Sequence, residues 1–264
     1  MALAALSHQK QVAERVAAGR IPAMKLSQVL FSQGFGARRE CEGLICAGLV
    51  SVGGVVIEEP SHEVAPEGLL FTVEGQTWAY HAKALIVMNK PAGFECSKKP
   101  RHHPSIYNLL PAQFKRRDMQ TVGRLDEDTT GLLLFTDDGN LIHRWTSPKH
   151  HVPKIYEAGC KHPVDEAQVA RLLAGVVLHD DPLPVQALAA EITGAFEHPT
   201  HGTLHGLRLT LAEGKYHQVK RMLAAVSNRV ETLHRSGFGA YRLPDDLKLG
   251  EWRWLPGPQA VVPR

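Results

Sequence analysis

A chain of 264 residues with 44% hydrophobic side chains has material for one large domain and a small one, or for two of middling size. No apolar run approaches the roughly 20 residues that cross a bilayer, and the first twenty-odd residues lack the basic-then-apolar layout of a secretory leader. The net charge of +3 is small but uneven: residues 97–124 carry seven Lys or Arg against Asp118 alone, and residues 214–242 six against Glu231 alone, a local excess of the kind a phosphate backbone attracts. None of the four cysteines (Cys41, Cys46, Cys96, Cys160) forms a C-x-x-C pair, so free thiols in a reducing cytosol are expected rather than a zinc site or a disulfide framework. The 15 histidines follow no H-E-x-x-H pattern, and no metal site is expected.

Residues 1–23 read as an N-terminal extension, either a short amphipathic helix or disordered. Residues 24–66 read as a small module. Leu26, Val29 and Leu30 suit one face of a first helix, and Arg38–Ile45 suits a second that ends at Gly48. Val50–Val52 and Val55–Ile57 flank Gly53-Gly54, a hairpin signal. Residues 67–82, with Pro66, Gly68 and Gly75 as breakers, read as strand and linker. The apolar run Ala84–Met88 is a buried strand, and Asn89-Lys90-Pro91-Ala92-Gly93 turns the chain after it.

Next comes Gly123–Gly139, GRLDEDTTGLLLFTDDG. A polar loop carrying Arg124 and Asp126 feeds an apolar strand, Leu132–Phe135, that holds it rigidly. A lone loop Asp would read as a turn former. Residues 140–146 suit a short helix that Ser147-Pro148 breaks. Ser147–Glu157 contains Lys154 and Tyr156, at the start of a strand expected over 155–160. A helix is expected over 165–173, strands over 185–192, 204–211 and 230–234, and a turn at 237–241. In Glu213–Val226, Val219, Met222, Leu223 and Val226 mark a helix face, while Lys220 and Arg221 sit near the helix start. Cations are disfavoured there by the helix dipole, so an anion nearby, phosphate or a carboxylate such as Asp126, would explain them.

Four of these wordings carry a resemblance. The run G-R-L-D-x-D-T-x-G-L-L-L-x-T-D-D-G (Gly123–Gly139) resembles the catalytic motif of the pseudouridine synthases of ribosomal RNA. N-K-P-x-G (Asn89–Gly93), K-x-Y (Lys154–Tyr156) and E-G-K-Y-H-Q-V-K-R-M (Glu213–Met222) resemble its companion motifs, in the same order along the chain. Helix, helix and hairpin over 24–66 resemble the S4 RNA-binding domain, although Ser27, Ala37 and Gly53 replace its usual Asp, Ser and Asn. The wordings S-P-x-H-H-x-x-K-x-Y and G-K-Y-H-Q-V-K-R-M are similar to the branch acting on one uridine of small-subunit (16S) ribosomal RNA.

The resemblance implies an α+β protein. A small S4-like domain (24–66) and a linker (67–82) would precede a catalytic domain (83–257) with a largely antiparallel mixed sheet, followed by a tail (258–264). It implies Asp126 as the reacting carboxylate, Tyr156 stacked on the target base, and Lys220 paired with Asp126, with Arg221 the other choice in that register. It further implies RNA contacts for Arg124, Lys154, Lys215, Arg221, Arg38 and Arg39. A monomer in the cytoplasm acting on ribosomal RNA, with no cofactor, metal or membrane, is the expectation. Three rivals stay open from the sequence: the same chemistry on large-subunit RNA, a non-catalytic S4-type assembly protein, and a hydrolase that would need a second carboxylate as general acid.

Overall fold

The computed structural model describes residues 22–179 and 181–263, less the side chain of Pro182. The expected extension thus falls almost wholly outside the described residues. The chain divides into two compact units, one holding the residues up to Ala84 together with Leu110–Met119, the other Leu85–Leu109 and Gln120–Arg264. Among the described residues no helix is long and apolar enough to cross a membrane.

Apart from a short helix at Ala112–Arg116, the first unit carries the helices α1 (Leu26–Ser32) and α2 (Arg38–Cys46) on a four-stranded antiparallel sheet. Its strands are β1 (Val50–Val52), β2 (Val55–Val56), β3 (Leu70–Val73) and β4 (Gln76–Ala79), in the order β2-β1-β3-β4. Leu26, Val29 and Leu30 of α1 and Cys41 and Ile45 of α2 are buried with Val50, Phe71 and Val73. Ala37 offers α2 no side-chain cap, but Glu40 Oε2 accepts the Ala37 N–H at 2.6 Å and supplies half of a capping box. Gly53 and Gly54 hold φ of 60° and 81°, as a tight hairpin turn requires.

Two boundaries move. Residues 67–82 are not a linker: β3 and β4 form a hairpin in this sheet, and Phe71 and Val73 enter the core while Leu70 faces out. Gly68 and Gly75 mark turns within the module, not a flexible join. Residues 110–119, inside the bounds expected for the catalytic domain, belong to the first unit; they hold the helix α3 (Ala112–Arg116), and Arg116 Nη1 donates to the Phe35 carbonyl at 3.1 Å.

The second unit is built on a nine-stranded mixed sheet. Its main strands are β5 (Leu85–Lys90), β6 (Thr130–Thr136), β7 (Lys154–Cys160), β8 (Ala189–His198), β9 (Gly202–Leu211), β10 (Val230–Phe238) and β11 (Trp252–Trp254). They lie in the order β8-β9-β7-β10-β6-β5-β11, and short strands at Gln120–Thr121 and Tyr241–Arg242 pair with β6 and β10. Only the β6–β10 pair is parallel, His234 opposite Thr130 and Arg235 opposite Gly131; the other pairings are antiparallel. The fold class expected from sequence therefore stands.

All six residues of β5 are buried, and the first four, Leu85–Met88, accordingly read as a continuous apolar run rather than an alternating one. The core below the sheet joins Leu85, Val87, Leu132 and Leu134 to Leu141 and Trp145 of α4 (Gly139–Thr146), to Phe238 and to Val261. Asp138 caps α4, its Oδ1 accepting from the amides of Asn140 and Leu141 at 3.0 and 3.3 Å. Asp165 caps α5 (Glu166–Ala174) in the same way at Gln168. The stretch after residue 257 is no detached tail, because Val261 is fully buried and its carbonyl accepts the Ala240 N–H at 2.7 Å.

Two strands also differ from expectation. The one read over 185–192 is split: Asp181–Val185 pairs with Val176–Leu178, and β8 begins only at Ala189. Between them the Ala187 N–H donates to Leu172 of α5, which takes it off the sheet. The strand begun at Val230 runs on to Phe238, so Gly237 pairs with Ile155 and Arg242 instead of turning.

Candidate active site

The loop before β6 is held from below by one buried cation. Lys90, the last residue of β5, is fully buried, and its Nζ donates to the carbonyls of Pro91 (2.9 Å), Glu127 (3.1 Å) and Thr129 (2.9 Å). Burial pushes the Lys90 ammonium below its ordinary value, and the charges of Cys96, Asp128, Glu127 and Asp126 oppose that. The turn made by Pro91 and Gly93 adds a second tie, the Gly93 N–H donating to Glu127 O at 2.8 Å. The Thr129 N–H donates to the Asp126 carbonyl at 3.2 Å, so Asp126 opens a β-turn. The turn-former reading of Asp126 is thus correct for its backbone and leaves its side chain to be placed.

That side chain is one-quarter exposed, with a cation or imidazole at each oxygen. Lys220 Nζ of α6 (Gln218–Ala225) lies 3.5 Å from Asp126 Oδ2, and His217 Nε2 lies 3.4 Å from Oδ1. Lys220 also binds both oxygens of Asp128, at 2.7 and 2.8 Å. Burial works to lower its pKa, but the hydrogen bond and charge of Asp128, with Asp126 behind them, leave it raised. The cation at the start of α6 therefore meets carboxylates, and Lys220, not Arg221, is the residue beside Asp126. Arg221 Nη1 instead donates to the Tyr216 carbonyl at 3.0 Å.

Tyr156 lies in the same cleft as Asp126, Arg124, Thr129, His217 and Leu233. It sits on β7 opposite Leu209 and Arg235 of its two neighbouring strands and is buried. Gly131, at φ 103°, lets β6 come close to β10, since a Cβ there would collide with the Arg235 backbone. Arg235 is buried beneath, its Nε donating to Leu132 O at 2.7 Å.

Three expected RNA contacts are placed differently. Lys154 is turned inward: its Nζ lies 5.4 Å over the Phe238 ring and donates to Ala212 O at a long 3.4 Å. Burial, together with the Arg235 charge, pushes it down to about 8 against the pull of Glu213. Lys215 is tied to Asp181 by an ion pair. Arg221 has the backbone bond already described. Arg124 is exposed at the cleft. Arg38 and Arg39 are exposed on α2 of the first unit, Arg38 stacking 5.4 Å over the Phe31 ring.

Sequence reasoning missed Lys90, Asp128 and His217. The third was within reach, because His217 precedes Lys220 by three positions at the entry to a helix, the spacing at which two side chains reach one target.

The sheet, the parallel β6–β10 pair and a single carboxylate clamped beside a buried tyrosine define a class that comparison with known proteins identifies. The model of the RNA pseudouridylate synthase family matches residues 84–225, and that of the S4 domain residues 24–69. The chain belongs to the RNA pseudouridylate synthase family and is a pseudouridine synthase with an N-terminal S4 RNA-binding domain.

Its similarity to particular members is extensive. Ribosomal small subunit pseudouridine synthase A of Salmonella typhimurium (strain LT2) is 38% identical over 208 residues, 78% of this chain and 85% of that protein. The protein of the same name from Escherichia coli (strain K12) is 38% identical over 209 residues, with the same shares of each chain. An uncharacterized RNA pseudouridine synthase of Bacillus subtilis (strain 168), YtzG, is 35% identical over 232 residues, 88% and 95% of the two chains. A solved structure described as a pseudouridylate synthase shares 32% identity at a TM-score of 0.57, covering 88% of this chain and 96% of that one.

Proposed function

We propose that the protein converts one uridine of small-subunit (16S) ribosomal RNA to pseudouridine, as a monomer in the cytoplasm. The observation that carries the reading is the Asp126 carboxylate, held on an anchored turn between Lys220 and His217 and sharing a cleft with Tyr156. The names of the relatives support the RNA class, and the motif wordings support the branch.

The reaction breaks the N1–C1′ bond of uridine and forms C5–C1′. C5 loses its proton and N1 gains one, so nothing is oxidised and no water is consumed. One carboxylate near C1′ suffices, either by attacking that carbon or by removing a ribose proton and returning it. Lys220, 3.5 Å from Asp126 Oδ2, helps to aim the carboxylate and sets a positive charge beside it. Tyr156 offers a ring against which the detached uracil turns. Arg124, two residues before Asp126 at the mouth of the cleft, occupies the gap left by the flipped nucleotide. The hydrolase alternative loses ground because Asp128, the nearby second carboxylate, is bound at both oxygens by Lys220.

Because C5 loses its hydrogen, transcripts of 16S and 23S RNA labelled with tritium at C5 of uridine report turnover as tritium released to water. The expected result is release from the 16S transcript alone, abolished by Asp126→Asn. Release from the 23S transcript alone would move the protein to the large-subunit branch, and free uracil in place of pseudouridine would make it a hydrolase.

A further inference from the structure

The site as described leaves one conspicuous side chain without a task. Tyr216 is 74% exposed, the most exposed large hydrophobic residue among the described ones. Its ring lies nearly parallel to the His217 imidazole, 19° between planes and 3.8 Å between centroids. The other edge of that imidazole is the Nε2 that stands 3.4 Å from Asp126. One face of the tyrosine is therefore covered, and its opposite face is open to solvent beside the reacting carboxylate.

The segment presenting this ring is fixed, not trailing. Gln218 Oε1 accepts the Lys215 N–H at 2.8 Å, and the Gln218 N–H donates to the Lys215 carbonyl at 3.1 Å. Arg221 holds the Tyr216 carbonyl, and Asp181 holds the Lys215 ammonium. His217 itself takes φ 48°, in the left-handed region that few non-glycine residues occupy. A tied-down turn that holds an aromatic ring in water, near a cleft where Arg124 is exposed, suits a ligand with a flat π-face and a phosphate backbone. That is an unpaired nucleotide of RNA.

We propose that the open face of Tyr216 stacks on a base flanking the target uridine, while its covered face keeps His217 in place against Asp126. Tyr216 is then a substrate-reading residue and His217 a positioning residue. The inference rests on the reading of Asp126 as the reacting carboxylate. A base pulled from its stack leaves its neighbours unsupported, and an aromatic platform at the rim supports one of them.

The test uses the full-length protein carrying Asp126→Asn, which binds without turning over, and a substrate transcript with 2-aminopurine on either side of the modified uridine. Stacking quenches one of the two labels. Adding Tyr216→Ala should abolish that quench and weaken binding about tenfold, within the range that loss of one base–aromatic stack produces. Tyr216→Phe in its place should restore both. In the otherwise wild-type enzyme, Tyr216→Ala should raise KM and also lower kcat, since an unseated His217 no longer aims Asp126. Unchanged quench and affinity in the alanine variant would overturn the proposal. Undiminished turnover by Asp126→Asn would instead overturn the reading of the site, whatever Tyr216 does.

Discussion

Two lysines are buried in the same unit, and they are treated in opposite ways. Lys90, at the end of β5, places its ammonium among three carbonyl oxygens and so ties the Asp126 loop to the sheet. Lys154, at the start of β7, has one long bond to Ala212 and a like charge, Arg235, for a neighbour. Both lose hydration, but only the first is repaid with acceptors. A buried cation is an anchor when its hydrogen bonds are complete and a cost when they are not.

The contrast is broken most directly at Lys90. Lys90→Met removes a donor from three buried carbonyls, so unfolding by denaturant should show a loss of roughly 3 kcal/mol or more. Turnover should fall with it, because the Asp126 turn is no longer tied down. If stability falls by less than about 1 kcal/mol, the anchor is not one.

Lys220 comes next. Lys220→Met takes the cation from both carboxylates, and kcat should drop on the order of 100-fold, as when one preorganised electrostatic contact is deleted. The ion pairs raise the Lys220 pKa, so their contribution is complete below the unfolded value near 10.5 and fades as pH rises through the folded value. Single-turnover rates separate this loss from one of binding.

Lys154 sharpens the comparison by having the opposite sign. Its folded pKa, about 8, lies below the unfolded 10.5, so the folded state resists the proton and stability rises as pH climbs between these values. Lys154→Met should flatten that rise and leave stability at neutral pH equal or better, by on the order of 1 kcal/mol. A large destabilisation by Lys154→Met would place it with Lys90.

The smallest effect belongs to a mirror image of Lys90 on the surface. Glu95 accepts the amides of Arg101, His102 and His103, and those bonds hold its carboxyl down to about 2. Its contribution is present above the unfolded value near 4.5 and is lost as pH falls toward 2. Glu95→Ala should speed amide exchange in residues 101–103 at neutral pH and leave the global unfolding midpoint in place.

Much of this was legible in the chain. The paired helices and the Gly53-Gly54 hairpin of the S4 unit announce themselves by periodicity and turn chemistry. So does β6, whose apolar run follows a loop too specific in wording to be a plain turn. The strand in 67–82 is legible, but no linker is there: glycines in a tight hairpin and glycines in a linker look alike, and the alternation of Phe71 and Val73 is what separates them. The K-x-Y wording points Lys154 to RNA, yet Lys154 and Tyr156 share one face of β7, and that face is buried. The task of Lys90 depends on the carbonyls of Glu127 and Thr129, 37 and 39 positions away, which no local pattern displays.

The proposed role of Asp126, on its anchored turn, is to carry out a uridine isomerisation in ribosomal RNA. Pseudouridine mapping of ribosomal RNA from cells lacking this gene, complemented with wild type or with Asp126→Asn, tests it most directly. The account predicts that one small-subunit site disappears and that only the wild-type protein restores it. Restoration by Asp126→Asn, or a map unchanged by loss of the gene, would contradict it.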